Sequence, residues 1–285
     1  MREYNQEELA RIKQMELDIY KDFKKVCEEH NLTYCGLAGT GIGAIRHKGF
    51  IPWDDDIDVG LPREDYEKLN AIFKEEFSDK YIVCNVENYE NYPLMTTRIM
   101  VKGTRFVEDT FKGIKDKCPL GIFLDVYAFD NVSDNNKEFK RQAWTAWFYS
   151  KLMILRSIPK PILPFKGVKA KLAYCICGIV HGFLVLFRVN NKKIYKRYKK
   201  VVTKYNDKQT GRMAFMADTS PFYNIIDKKK AFPLVEMEFE DTTMMFPANI
   251  DEMLRYIFGD YMVMPPVDKR KNHHPYILDF GPEEK

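Results

Sequence analysis

The stretch from Gly36 to Pro62, GLAGTGIGAIRHKGFIPWDDDIDVGLP, restricts the fold of this chain more than any other part of it. Four carboxylates fall within five residues (Asp54, Asp55, Asp56 and Asp58), and the strand-like residues Ile57, Val59 and Leu61 run through and beyond them. In an extended chain alternate side chains share a face, so Asp56 and Asp58 point one way while Ile57 and Val59 point into a core. Two like charges about 4 Å apart repel by roughly 4 kcal/mol at an effective dielectric near 20. A divalent cation is the simplest counter-charge, and a donor set made of oxygens alone favours Mg²⁺ or Mn²⁺ over Zn²⁺ or Cu²⁺.

The residues before the acids suit a phosphate. Leu32 to Ala38 is expected as a first strand that delivers the chain to Gly39, Thr40 and Gly41. Glycines there allow a sharp turn and a close approach of backbone to ligand, and Thr40 is expected as the N-cap of a helix running to about Lys48. A helix N-terminus aims N–H groups and partial positive charge at an anion. Gly39, Thr40, Arg46, His47 and Lys48 are therefore the expected phosphate or nucleotide contacts. An acidic run alone is usually a solvated loop, and Gly-rich turns are common, so it is their adjacency that carries this reading.

Further along, Gln6 to about Asn31 shows the three-to-four spacing of an amphipathic helix, and Pro62 is expected to open another. Tyr81–Val86, Tyr92–Val101, Thr104–Glu108 and Gly121–Asp130 read as strands. In the last of these, Ile122, Leu124 and Val126 fill one face and leave Asp125 on the other. A lone acid in such a strand is costly to bury unless it is paired or bound to metal. Arg98 and Arg105, among these strands, read either as phosphate contacts or, as is commoner, as surface or ion-paired arginines. Trp53 reads either as core or as a stacking partner for a base.

The segment LAGTGIGAIRHKGFIPWDDDIDVGLPREDYEKL resembles the signature of the LicD family, which includes bacterial phosphocholine transferases and is related to fukutin-type ribitol-phosphate transferases. The resemblance implies an α+β fold of nucleotidyltransferase type, a mixed β-sheet core with flanking helices and a helical insert. It implies that Asp56, Asp58 and Asp125 hold Mg²⁺ (or Mn²⁺), with Asp125 or Asp54 taking a proton from the acceptor. The tail MPPVDKRKNHHP is similar to the family's closing segment, so Arg270, His273 and His274 are expected to return to the site together with Trp53. The implied reaction moves a phosphoalcohol, foremost phosphocholine, from a CDP-activated alcohol donor to a sugar hydroxyl of a cell-surface glycan or teichoic-acid precursor, free or lipid-linked, and releases CMP. A strict nucleotidyltransferase shares these residues but attacks the other side of the diphosphate. A membrane-surface scaffold without activity is the reading from outside enzymology.

Three units are expected, a catalytic core over 1–134, a helical insert over 135–206, and a hairpin and helix over 207–285 that complete the core. Within the insert, Leu172 to Phe187 is an uncharged run of 16 residues flanked by Lys166, Lys169, Lys171, Arg188, Lys192 and Lys193. It is short for a bilayer span, which takes about 20 residues, and reads equally as an interfacial element in a peripheral membrane contact through 165–200 or as a buried helix. Trp144, Trp147 and Tyr149 are candidates for an aromatic choline cage. Six cysteines without zinc spacing and a charged N-terminus predict reduced thiols and a cytoplasmic location, at the inner face of the membrane. A net charge of only +4, with no long basic tract singled out, argues against nucleic acid as partner.

Overall fold

The computed structural model describes residues 4–114, 117–163, 166–270, 272–273 and 275–282. Helix α1 (Gln6–Glu29) is capped at Asn5, whose side chain accepts the Glu8 N–H while the Glu8 carboxylate accepts the Asn5 N–H. There follow β1 (Cys35–Gly36), α2 (Ala38–His47), β2 (Asp58–Pro62), α3 (Arg63–Glu76), β3 (Tyr81–Cys84), β4 (Thr97–Val101), β5 (Arg105–Glu108) and β6 (Phe123–Val132). Next come α4 (Asn136–Ser157), α5 (Gly167–Leu186) and α6 (Asn191–Val202). The chain ends with β7 (Arg212–Phe215), β8 (Asn224–Asp227), α7 (Lys228–Ala231), β9 (Val235–Phe239), β10 (Thr242–Phe246), α8 (Ile250–Phe258) and β11 (Pro275–Asp279).

The fold is α+β, as the sequence predicts. Its main sheet runs β1-β2-β6-β4-β3, with β7 and β8 continuing from the far end of β6. The sheet is mixed, since β2 and β6 are parallel and the other pairs are antiparallel. The central strand β6 pairs through Asp125–Phe129 with β2, through Phe123–Val126 with β4 and through Asp130–Val132 with β7.

Alternation along β2 and β6 sorts the two faces of the sheet. Val59, Leu61, Leu124 and Val126 are fully buried in one cluster with Tyr20, Phe23 and Phe73 of α1 and α3. The opposite face receives Asp58 and Asp125, and near its end a second cluster joins Val132 and Met213 to Ala146 and Met153 of α4 and to Ile194 and Val202 of α6. The stretch 135–206 therefore packs through α4 and α6 onto the sheet. Helix α5 is the exception, because none of its residues is buried.

Several boundaries differ from expectation. The first strand is β1 alone, because α2 begins at Ala38 and its N-cap is Leu37, without a side-chain bond. Thr40 is thus inside the helix, and Gly39, Gly41 and Gly43 are helical residues, not a turn. Packing overrides their poor helix propensity: a Cβ on Gly43 would lie 2.3 Å from the Gly49 carbonyl oxygen. Strand β2 starts at Asp58, so Asp54, Asp55 and Asp56 belong to the loop before it. Pro62 closes that strand and precedes α3, and β4 covers only the last part of Tyr92–Val101.

Candidate active site

Register builds the site first. Asp58 on β2 lies opposite Asp125 on β6, and Asp125 lies opposite Arg98 on β4. Neighbours in register project from the same face, so Asp58, Asp125 and Arg98 form one row across three strands. Arg98 is 3% exposed and reaches both oxygens of Asp125 at 3.2–3.3 Å, while its other arm lies 2.7 Å from Glu108. Its guanidinium also stacks 3.6 Å from the Phe123 ring centre. Thr96 donates a weaker bond of 3.3 Å to Asp125, and Tyr127 donates one of 3.0 Å to Asp58.

The loop acids descend onto this row. The ammonium of Lys13 on α1 donates to the carbonyls of Ile51 and Pro52 at 2.9 and 3.0 Å and so fixes the loop's entry. Asp55 is fully buried, bonded to Tyr4 and held by the backbone N–H and ring Nδ1 of His273 at 3.0–3.1 Å. Strand β11 pairs with β5, and His273, two residues ahead of β11, lies over the acids with Nε2 3.8 Å from Asp56. Thr40 accepts the Asp58 N–H at 2.8 Å and so ties the first turn of α2 to the start of β2. A Cβ on Gly39 would come within 2.9 Å of the Asp54 carboxylate, so glycine lets the helix approach that acid.

A cleft of about 540 Å³ opens above, lined by Gly39, Asp54, Asp56 and Asp58 on one side and by Phe258, Tyr261 and Val263 on the other. Trp53 and Arg46 also line it, and Arg46 donates to the Tyr261 carbonyl. The guanidinium carbons of Arg46 and Arg270 lie 6.0 and 4.7 Å from the Trp53 ring centre. Asp125 does not line the cleft. It lies one strand away from Asp58, within the sheet row.

Electrostatics follow from the crowding. Burial, then Asp56 and Asp55, push Asp54 well above the usual carboxyl range, and burial, then Asp56 and Asp125, do the same to Asp58. Burial raises Asp56 to about 6 even though His273 opposes it. Burial also raises Asp55, but the bonds from His273 and Tyr4 outweigh it and leave that carboxyl below its ordinary value. For His273 burial favours the neutral ring, yet Asp56, Glu108 and Asp55 overcome it and hold the imidazole protonated well above its usual range. Glu16 of α1, 1% exposed, is pushed up by burial and by Asp56 and Asp55. The acids at the base of the site outnumber the cations Arg98 and His273 that meet them there.

Comparison with known proteins fits this geometry. A family model described as "LicD/FKTN/FKRP, nucleotidyltransferase domain" matches residues 31–171. The chain is 28% identical over 277 residues to the lipopolysaccharide cholinephosphotransferase LicD of Haemophilus influenzae, covering 92% of this chain and 95% of that protein. The chain belongs to the LicD family. An uncharacterized protein of Rickettsia prowazekii is 39% identical over 110 residues, 38% of this chain and 41% of that one. One of Rickettsia typhi is 32% identical over 74 residues, 23% and 24% of the two chains.

In this LicD-family chain the structure brings together Gly39, Arg46, Trp53, Asp54, Asp56, Asp58 and His273 around the cleft, with Thr40 and Asp125 behind and Arg270 over Trp53. His274 lies outside the described residues. Lys48, the left-handed C-cap of α2, is 75% exposed, pairs with Glu238 at 2.6 Å and is not part of the lining. His47 accepts the Arg46 Nε–H at 2.9 Å and is not part of the lining. Trp144 and Trp147 pack against each other on α4, with Trp144 also against Phe222, and neither these nor Tyr149 lines the cleft.

Sequence reasoning allowed for an ion-paired Arg98 but missed its burial and its partners, and it missed Glu16 and the structural part played by Asp55. For Arg98 a signal was present: like Asp125, it is a lone charge within an apolar strand, TRIMV, where burial requires a partner.

Proposed function

We propose that this protein is a phosphotransferase that moves phosphocholine from CDP-choline to a sugar hydroxyl of a cell-surface glycan precursor and releases CMP. The observation that carries the reading is the acid row under the cleft, in a chain similar over nearly its whole length to a cholinephosphotransferase. Asp56, Asp58 and Asp125 offer only carboxylate oxygens at a base where acids outnumber cations, which is the donor set that Mg²⁺ or Mn²⁺ takes. When bound, such an ion offsets the diphosphate charge and stabilises the entering and leaving oxygens. Asp55, Asp56 and His273 also place ligand atoms within 4.8 Å of one another, but Asp55 is already engaged by Tyr4 and His273.

The protein's own groups do the rest. Arg46 and Arg270 sit at the mouth and take the phosphate of the CMP moiety. Asp54, in the cleft wall and with a raised pKa, accepts the proton of the sugar hydroxyl as its oxygen forms a bond to the choline-bearing phosphorus. The bond that breaks joins that phosphorus to the bridging oxygen, and the electron pair leaves with CMP. Arg98 orients Asp125 through the paired contacts at 3.2–3.3 Å without touching substrate.

Incubating the protein with Mg²⁺, CDP-choline and a glycan acceptor and analysing products by mass spectrometry tests the reading. An acceptor that gains phosphocholine, with one CMP per transfer, supports it. An acceptor that gains a nucleotide identifies a strict nucleotidyltransferase, and absence of both turnover and calorimetric binding of CDP or CMP identifies a scaffold. CDP-ribitol, CDP-glycerol and CDP-ethanolamine in parallel assign the alcohol.

A further inference from the structure

Helix α5 stands outside every rule that the rest of the chain obeys. It has 20 residues, about 30 Å at 1.5 Å per residue, and is long and apolar enough to cross a bilayer, yet none of it is buried. Leu172, Ile176, Ile179, Phe183 and Leu186 are each more than half exposed. Its anchorage is slight: His181 Nδ1 bonds the Leu155 carbonyl of α4 at 2.8 Å. Apolar surface of this extent on a folded protein marks an interaction site.

We propose that α5 docks the protein onto an anionic phospholipid bilayer, lying along the interface and not crossing it. The topology excludes a single crossing. Strand β6 and helix α4 precede α5, whereas α6 and β7 follow it, and β7 pairs with β6 in one sheet while α6 packs against α4. One crossing would put the halves of that sheet on opposite sides of the membrane.

Charge selects the partner. From Phe139 to Asn206 there are 16 Lys and Arg residues and no Asp or Glu. With the whole chain at +4, the other residues carry a net charge of −12. Lys166, Lys169 and Lys171 precede the apolar run, Arg188, Lys192 and Lys193 follow it, and all are exposed. An apolar rod with cations at both ends matches a bilayer interface, where lysines reach anionic headgroups while the rod sinks among acyl chains. A second copy of the chain is a poorer occupant, because α5 against α5 would bring two such cationic segments together.

Flotation of the full chain with vesicles tests this. We expect it to rise with phosphatidylcholine vesicles containing phosphatidylglycerol, and to rise about tenfold less with phosphatidylcholine alone or when salt is raised from about 0.1 M to 0.5 M. The variant Ile176→Asp/Ile179→Asp/Phe183→Asp should lose flotation while keeping the wild-type melting curve. The milder variant Lys169→Glu/Lys171→Glu/Lys192→Glu/Lys193→Glu should weaken it on anionic vesicles only. Wild-type protein that stays at the bottom with every vesicle overturns the proposal. So does light scattering that shows a dimer which the triple variant disrupts without any loss of flotation.

Discussion

The acid row and helix α5 invert the usual partition of residues in opposite directions. At the row, Asp58, Asp125, Arg98 and Glu108 are buried, where charge is rarely found unpaired. At α5, Ile176, Ile179 and Phe183 are exposed, where apolar surface rarely accumulates. The row resolves its conflict within the chain through the Arg98 pairs, and only in part, since Asp54, Asp56 and Asp58 remain with raised pKa values. Helix α5 resolves nothing within the chain. The same sequence therefore supplies most of its own partners in one region and needs an outside surface in the other, and substitutions should separate the two.

Breaking the row should cost most. Arg98→Met leaves Asp125 and Glu108 buried without their cation, and removing one partner of a buried pair typically costs about 3–5 kcal/mol. A fall of that size in unfolding free energy by urea titration is expected, and Arg98→Lys should recover only part of it because one ammonium cannot serve both carboxylates as the guanidinium does. A loss below about 1 kcal/mol would mean that the row is not held by charge. Asp125→Asn keeps the shape and removes the charge. CMP release should then drop by about 10²–10³-fold, the scale seen when a charge-stabilising group is lost, while the far-ultraviolet spectrum stays unchanged.

How much of this was legible in the sequence depends on whether a signal was local. The alternation of Asp58 with Val59 and of Asp125 with Val126 could be read because period two is a property of each strand alone. Their side-by-side placement could not, since the parallel register of β2 and β6 is set by strands 67 residues apart. For Arg98 the apolar strand TRIMV carries a local hint of burial, but its partner Asp125 belongs to another strand, and that pairing has no local mark. The start of α2 was misplaced because Gly39, Gly41 and Gly43 weaken a helix locally, whereas the gain from Gly43 against Gly49 and Gly41 against Ile250 is tertiary. For α5 length and composition were visible, but exposure was not, because apolar periodicity cannot distinguish a helix that meets protein from one that meets lipid.

The pH dependence sharpens the contrast, because burial raises the loop acid Asp56 beside the row. Asp56 moves from 3.8 to about 6 on folding, so the folded state holds a proton that the unfolded state gives up earlier. The stability this contributes is present below about pH 4 and is lost as pH rises through about 6, a change on the order of 3 kcal/mol. Metal-free protein should therefore be less stable at pH 7.5 than at pH 5. Mg²⁺ should raise the melting temperature more at pH 7.5 than at pH 5, since carboxylates must be ionised to bind it. An equal shift at both values would separate metal binding from these acids.

The smallest effect belongs to α5, and its smallness is the point. Ile179→Ser removes an apolar side chain that is 57% exposed and contributes little to folding, so unfolding free energy should change by no more than about 0.5 kcal/mol. The matched control, Leu124→Ala on β6, empties a site with no exposure and should cost about 2–5 kcal/mol. Both are measured by the same urea titration without lipid. If Ile179→Ser matched Leu124→Ala, α5 would be folded against the body of the protein in solution. The exposed apolar helix would then be an internal packing element, and its cationic flanks would have no bilayer to meet.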